Sequence, residues 1–144
     1  MGKIGKLALG LALVVSFGCA HNGPAARIDQ ADRAAFSALR AFQTTETALY
    51  RQGAPWPTPA QHKANGAALV TAYTLCTDIA SIGLDVAPGS PLPIQLAALT
   101  ADLMKTIADL RAAVTAQAPA SVVMHIEKAG AQAAKMRAVS GGRQ

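Results

Sequence analysis

The side chain with the most unusual position for chemistry is Glu46. It falls on the apolar face of the first predicted helix, between Phe42 and Leu49. A carboxyl group at such a position would be desolvated, and desolvation favours its protonated form, which suits a general acid. The alternative is that Glu46 lies close enough to the helix end to reach solvent or a basic partner such as Arg51 or Lys63. Glu46 is therefore a weak candidate for a perturbed titratable group.

The remaining polar residues do not form a recognisable reaction centre. His62 and His125 both fall in the first turns of predicted helices that would run parallel, so they could share one end of a bundle. A pair of histidines without a third ligand is not a zinc-type site, and a glycosidase would need a second carboxylate beside Glu46. Phosphate-binding glycine loops, the G-x-S-x-G elbow, H-E-x-x-H and the haem motif C-x-x-C-H are absent from the sequence. The sequence predicts no catalytic residue, no metal and no cofactor, and therefore no enzyme.

Cys76 falls on the apolar face of the second predicted helix, beside Leu69, Tyr73 and Ala80. A reactive cysteine needs a neighbouring histidine or cation, and the local sequence has neither. We therefore interpret Cys76 as a small buried apolar side chain.

Trp56 stands in the sequence A-P-W-P, between two prolines. Because the prolines stiffen this link, it could display an indole at little cost in conformational entropy. Trp56 is therefore the candidate contact residue for a partner. The alternative is that the tryptophan folds over the end of the helices and closes it.

The N-terminal twenty residues follow the three-part plan of a secretory signal. Residues 1–6 are short and positively charged, residues 7–17 form an apolar run, and Gly18, Cys19 and Ala20 precede a polar stretch. A membrane-spanning helix needs about 20 apolar residues, and this run is shorter. The pattern predicts a signal peptide over residues 1–18.

The stretch S-F-G-C resembles the lipobox of bacterial lipoproteins, whose cysteine is acylated and becomes the first residue of the mature protein. Gly18 fits the family's small residue before the cysteine, whereas Ser16 and Phe17 stand where the family prefers leucine and a small residue. The resemblance implies palmitate-type acylation of Cys19 and a stable membrane anchor. Ala20, where enterobacterial lipoproteins of the inner membrane carry aspartate, favours the outer membrane. Ordinary cleavage after Ala20 and an uncleaved anchor are the alternatives.

The mature chain contains four stretches with helical periodicity, over residues 28–52, 58–83, 92–114 and 121–139. The third has the clearest apolar stripe, which consists of Leu92, Leu96, Leu99, Leu103, Ile107, Leu110 and Val114. Short proline- or glycine-containing links separate the helices, and no strand-like alternation occurs. The pattern predicts an all-α, up-down four-helix bundle over residues 28–140, with a tether over 19–27 and a frayed tail over 141–144. A three-helix core with a loosely docked fourth helix is the alternative, because the last helix has the weakest apolar face.

Composition restricts the class of partner. The 144 residues suffice for one domain, and the formal net charge is +5. Two of the basic residues, Lys3 and Lys6, belong to the leader, and the others are spread singly along the chain. Nucleic-acid-binding proteins usually carry a basic stripe, so no nucleic-acid partner is expected.

These observations together predict a non-enzymatic, lipid-anchored helical bundle on the periplasmic side of a bacterial membrane. It would act by binding or scaffolding, with an envelope protein or the cell wall as its partner. Small alanine-rich lipoproteins of this style occur in bacteria and in their phages. The alternative is therefore a phage or prophage envelope factor that acts in superinfection exclusion or lysis.

Overall fold

The computed structural model describes residues 23–141, and this part of the chain forms four α-helices and no strand. The helices are α1 (Pro24–Arg51), α2 (Pro59–Leu84), α3 (Ile94–Thr115) and α4 (Ala120–Ser140). The predicted all-α four-helix bundle is confirmed.

Each helix packs against two others, in the ring order α1, α2, α3, α4 and back to α1, so α1 and α3 face each other diagonally. Consecutive helices run antiparallel. Gly23, the α2–α3 link and the end of α4 therefore lie at one end of the bundle, which we call the near end. The α1–α2 and α3–α4 links lie at the opposite end, the far end.

The fourth helix belongs to the core, so the alternative with a loosely docked fourth helix is wrong. It packs against both α1 and α3. Its inner face is fully buried and consists of Val122, Ile126, Ala129, Ala133 and Met136. The face is weak in the sequence because its middle is alanine. Small buried side chains on α4, together with the buried Ala31 and Ala35 of the neighbouring α1, allow close packing without bulky residues.

The helix ends follow local sequence rules, with two differences from the prediction. Helix α3 begins at Ile94 and not at residue 92, so Leu92 lies in the link before it. Thr58 and Gln61 form the reciprocal capping box at the start of α2, and Gly53, with φ of 69°, follows the end of α1. Helix α1, however, begins at Pro24 and not at residue 28. Proline is favourable in the first turn because its missing N–H has no intrahelical acceptor there. The tether before the bundle is therefore shorter than the sequence pattern indicated.

Helix α2 has the length and mean hydropathy (1.5) of a membrane-crossing helix, by length and composition only. No other helix within residues 23–141 passes this test. Its inner face includes Leu69, Ala72, Cys76 and Ile79, which are buried in the bundle against the neighbouring helices. A core helix has the same composition, so the hydropathy of α2 is weak evidence for a span.

The apolar stripe of α3 generates a stability prediction. Leu103 is fully buried, so Leu103→Ala should lower the free energy of unfolding by roughly 2–5 kcal/mol, the usual cost of emptying a leucine site. Lys105, two residues along, is exposed and pairs with Asp109. Lys105→Ala should therefore change the free energy of unfolding far less. Chemical denaturation of both variants checks this. Equal losses would contradict the packing of α3 described above.

Candidate functional site

The far end of the bundle contains a buried carboxylate with partners from another helix. Glu46, in the last turns of α1, is 2% exposed. His62 Nδ1 lies 2.9 Å from each of its two carboxylate oxygens, and Asn65 Nδ2 donates to Oε1 at 3.3 Å. Thr47 Oγ1 makes a longer contact with Oε2, at 3.5 Å. The buried oxygens of Glu46 therefore have hydrogen-bond partners, as buried polar groups in proteins generally do.

Tyr50 completes this group by covering the imidazole of His62. The two rings are stacked, with centroids 4.1 Å apart and an interplanar angle of 11°. The side chain of His62 is 34% exposed. We call Glu46, Tyr50, His62 and Asn65 the far-end cluster. Beside it, Gln61 donates to Gln117 of the α3–α4 link, which ties this corner to the second pair of helices.

The sequence prediction placed Glu46 correctly on the inner face of α1 but did not identify its partners. The basic residues considered there, Arg51 and Lys63, are both exposed. The partner is His62, which lies sixteen positions along the chain and comes close because the α1–α2 link reverses the chain direction. The signal in the sequence was the position of His62 in the first turn of α2. An antiparallel α2 brings this turn beside the last turns of α1, where Glu46 lies.

Trp56 lies at the same end, in the α1–α2 link, and is 5% exposed. It packs with the hydrophobic core, and its indole nitrogen finds no acceptor within residues 23–141. This position corresponds to the alternative of a tryptophan folded over the end of the helices. A contact between Trp56 and a partner stays a prediction, and it would require the indole to leave this position.

A second buried carboxyl group, Asp32, was not singled out in the sequence. It lies in the third turn of α1, is buried, and is hydrogen-bonded to the thiol of Cys76 on α2. Its Oδ1 atom receives no hydrogen bond from the described residues. Burial raises the pKa of Asp32 to about 6, and the nearby charge of Asp29 acts in the same direction, against the effects of Cys76 and Arg33.

Cys76 is buried as predicted, and its surroundings are unreactive. Burial raises the pKa of its thiol well above the usual range, and the Asp32 carboxyl raises it further. The thiolate is the nucleophilic form of cysteine. Cys76 is therefore suited to packing and to donating a hydrogen bond, and not to nucleophilic chemistry.

The far-end cluster has part of the geometry of a catalytic site. A carboxylate that orients an imidazole is the supporting half of a nucleophile–base–acid triad. The triad also needs a hydroxyl or thiol bonded to the imidazole, and the nearby hydroxyl of Thr47 contacts Glu46 instead. No group of three His, Cys, Asp or Glu suited to a metal occurs within residues 23–141. His125 lies in the second turn of α4, at the far end and diagonally across from α2. Cys19 lies outside the described residues.

Comparison with known proteins gives no relative. No family model, no curated protein and no solved structure matches the chain.

The far-end cluster yields a prediction about the join between α1 and α2. His62→Ala leaves the Glu46 carboxylate buried with weaker hydrogen bonds, so it should lower the free energy of unfolding by about 1–3 kcal/mol. Lys63→Ala, at the exposed neighbouring position, is the matched control and should have little effect. This loss arises because the buried Glu46 carboxylate has lost its main hydrogen-bond partner. Adding Glu46→Gln to His62→Ala should therefore recover part of the lost stability. Additive losses in a denaturation experiment would show that the two side chains are not coupled.

Asp32 yields a prediction about pH. Its pKa is raised from 3.8 in the unfolded chain to about 6 in the fold. The stabilising contribution of the protonated group is therefore complete below pH 3.8, falls between pH 3.8 and 6, and is lost above pH 6. The loss amounts to roughly 3 kcal/mol at 1.36 kcal/mol per pKa unit.

Denaturation of the wild type and of Asp32→Asn across pH 4–7 measures this contribution, because the other titrating groups are common to both proteins. The wild type should lose more stability than the variant as the pH rises. Asp102→Asn, an exposed change on α3, should keep the wild-type profile. Parallel curves for the wild type and Asp32→Asn would contradict the assignment to Asp32.

Proposed function

We propose that this protein is a lipid-anchored helical bundle that acts without catalysis, by binding or scaffolding at the bacterial cell envelope. The observation that carries the proposal is the order of the N-terminal residues. A basic start, the apolar run 7–17 and the Gly18–Cys19 pair precede the bundle directly. The bundle begins with α1 at Pro24, five positions after Cys19.

The short segment between Cys19 and Pro24 determines which end of the bundle would lie at the membrane if Cys19 is acylated. Four residues separate the two, and an extended chain spans at most about 3.5 Å per residue. Acyl chains on Cys19 would therefore hold the near end of the bundle against the membrane. The partner is an envelope protein or the cell wall, reached from the periplasmic side.

The use of the ionisable groups within the bundle supports a non-enzymatic role. Glu46 is engaged by His62 and Asn65, and Asp32 by Cys76. Each contact joins α1 to α2, so these buried side chains hold two helices together. The described residues that resemble catalytic groups therefore have a structural use.

The test of the anchor is the mature N-terminus. Intact-mass measurement of the protein from membranes should give a chain that begins at Cys19 and carries acyl groups. Cys19→Ser should release the protein from the membrane fraction or leave the precursor uncleaved. Cys76→Ser, which alters the other cysteine, is the matched control and should keep both the processing and the membrane attachment. A Cys19→Ser protein that is cleaved and fractionates like the wild type would overturn the proposal.

A further inference from the structure

The near end of the bundle carries two large apolar side chains that no other described residue covers. Leu84, the last residue of α2, is 74% exposed, and Ile94, the first residue of α3, is 80% exposed. Exposed apolar side chains that lie together at one site can mark a contact with a ligand, a partner or a membrane. The two flank the link 85–93 and therefore share one corner of the bundle.

We propose that Leu84, Ile94 and the link between them enter the headgroup region of the membrane, so that the bundle stands upright on its near end. The proposal rests on the proposed function, since it takes membrane attachment through the N-terminal segment as its premise. It adds a second contact with lipid, made by the folded bundle itself.

The length of chain before the bundle brings this corner to the membrane. Cys19 and Gly23 are four positions apart, so an extended chain allows at most about 15 Å between them. Gly23 lies at the near end, together with the α2–α3 link. Acyl chains on Cys19 would therefore place the exposed leucine and isoleucine next to the lipid headgroups.

The composition of the link suits this environment. Its nine residues include Pro88, Pro91 and Pro93, which have no backbone N–H to desolvate. The N–H groups of Asp85 and Val86 donate to carbonyls in the last turn of α2, and that of Ser90 donates to Ala87 within the link. The backbone therefore needs few hydrogen bonds from water, which lowers the cost of moving it into a less polar layer.

The charges at the near end are also compatible with a phospholipid surface. Arg27 lies in the first turn of α1, and Lys135 and Arg137 lie in the last turns of α4. Basic residues next to a membrane are attracted to anionic headgroups. Asp85 is the charged residue of the link itself, and its carboxylate limits insertion to the headgroup layer. The inferred occupant is therefore a phospholipid headgroup surface and not the hydrocarbon core.

Depth-resolved tryptophan fluorescence tests this inference on the mature lipid-modified protein in phospholipid vesicles. Trp56, the one tryptophan of the sequence, lies at the far end. Its emission in the wild type therefore reports on the end of the bundle that would lie away from the membrane. In a Trp56→Phe background, Ile94→Trp places the probe at the near end. Met124→Trp, in the first turns of α4 at the far end and also exposed, is the matched control. Circular dichroism confirms that each variant keeps the helical fold.

Quenchers attached to the lipid at headgroup depth should reduce the emission of the Ile94→Trp variant several-fold more than that of Met124→Trp or of the wild type. Its emission should also move to shorter wavelength when vesicles are present. Flotation of the same samples reports attachment separately. Proteins that float while the Ile94→Trp variant resists quenching overturn this inference alone, whereas proteins that fail to float overturn the proposed anchor as well. A shift to shorter wavelength without quenching would indicate that a second copy of the chain covers this corner, which also overturns the inference.

Discussion

Two carboxyl groups on the inner face of α1 constrain the bundle, because a buried carboxyl needs a hydrogen-bond partner from the helix that covers it. Asp32 meets Cys76 and Glu46 meets His62, all four on the facing sides of α1 and α2. The two carboxyl groups are fourteen positions apart, and so are their two partners. Fourteen residues are close to four helical turns, so a single antiparallel register satisfies both contacts. A slide of α1 along α2 by one turn would leave both acids buried without partners, and polar contacts of this kind are known to specify register.

The register of α1 and α2 determines which groups meet at each end. At the far end it brings the start of α2 against the end of α1, where the His62 imidazole stacks on Tyr50 and Trp56 closes the core. At the near end, α2 ends with the exposed Leu84, and α3 starts with the exposed Ile94. Polar and aromatic contacts therefore close the α1–α2 corner of the far end, while the α2–α3 corner of the near end presents apolar side chains.

Most of the fold could be predicted from the sequence, because it depends on periodicity and on local stop signals. The capping box at Thr58 is present as predicted. The apolar stripe of α3 is buried at Leu96, Leu103, Ile107, Leu110 and Val114, whereas Leu99 is partly buried and Leu92 lies before the helix. The far-end cluster could be predicted only in part. The position of Glu46 follows from the helical repeat of α1, whereas its contact with His62 depends on the register between helices, which the repeat of one helix does not specify. The same repeat places Asp32 on the inner face of α1, between Ile28 and Ala35, although the sequence analysis did not single it out. Only its contact with Cys76 depends on the register between α1 and α2. The burial of Trp56 depends on the path of the α1–α2 link. The sequence A-P-W-P is compatible both with a displayed indole and with an indole folded over the helix ends.

The geometry also bears on how a bundle of this size could act at an envelope. Helix α1 has 28 residues, which corresponds to about 42 Å at 1.5 Å per residue. The links 52–58 and 116–119 are short, and Gln61 of α2 donates to Gln117 of the second link. This hydrogen bond joins the two helix pairs at the far end. Under the proposed attachment, a contact at the far end would lie several tens of ångströms from the bilayer. The distance would be set by the length of the helices and not by a flexible stalk, because α1 begins almost at the anchor. Such a protein can hold a partner at a defined height above the membrane, which requires rigidity and a fixed orientation but no reactive group.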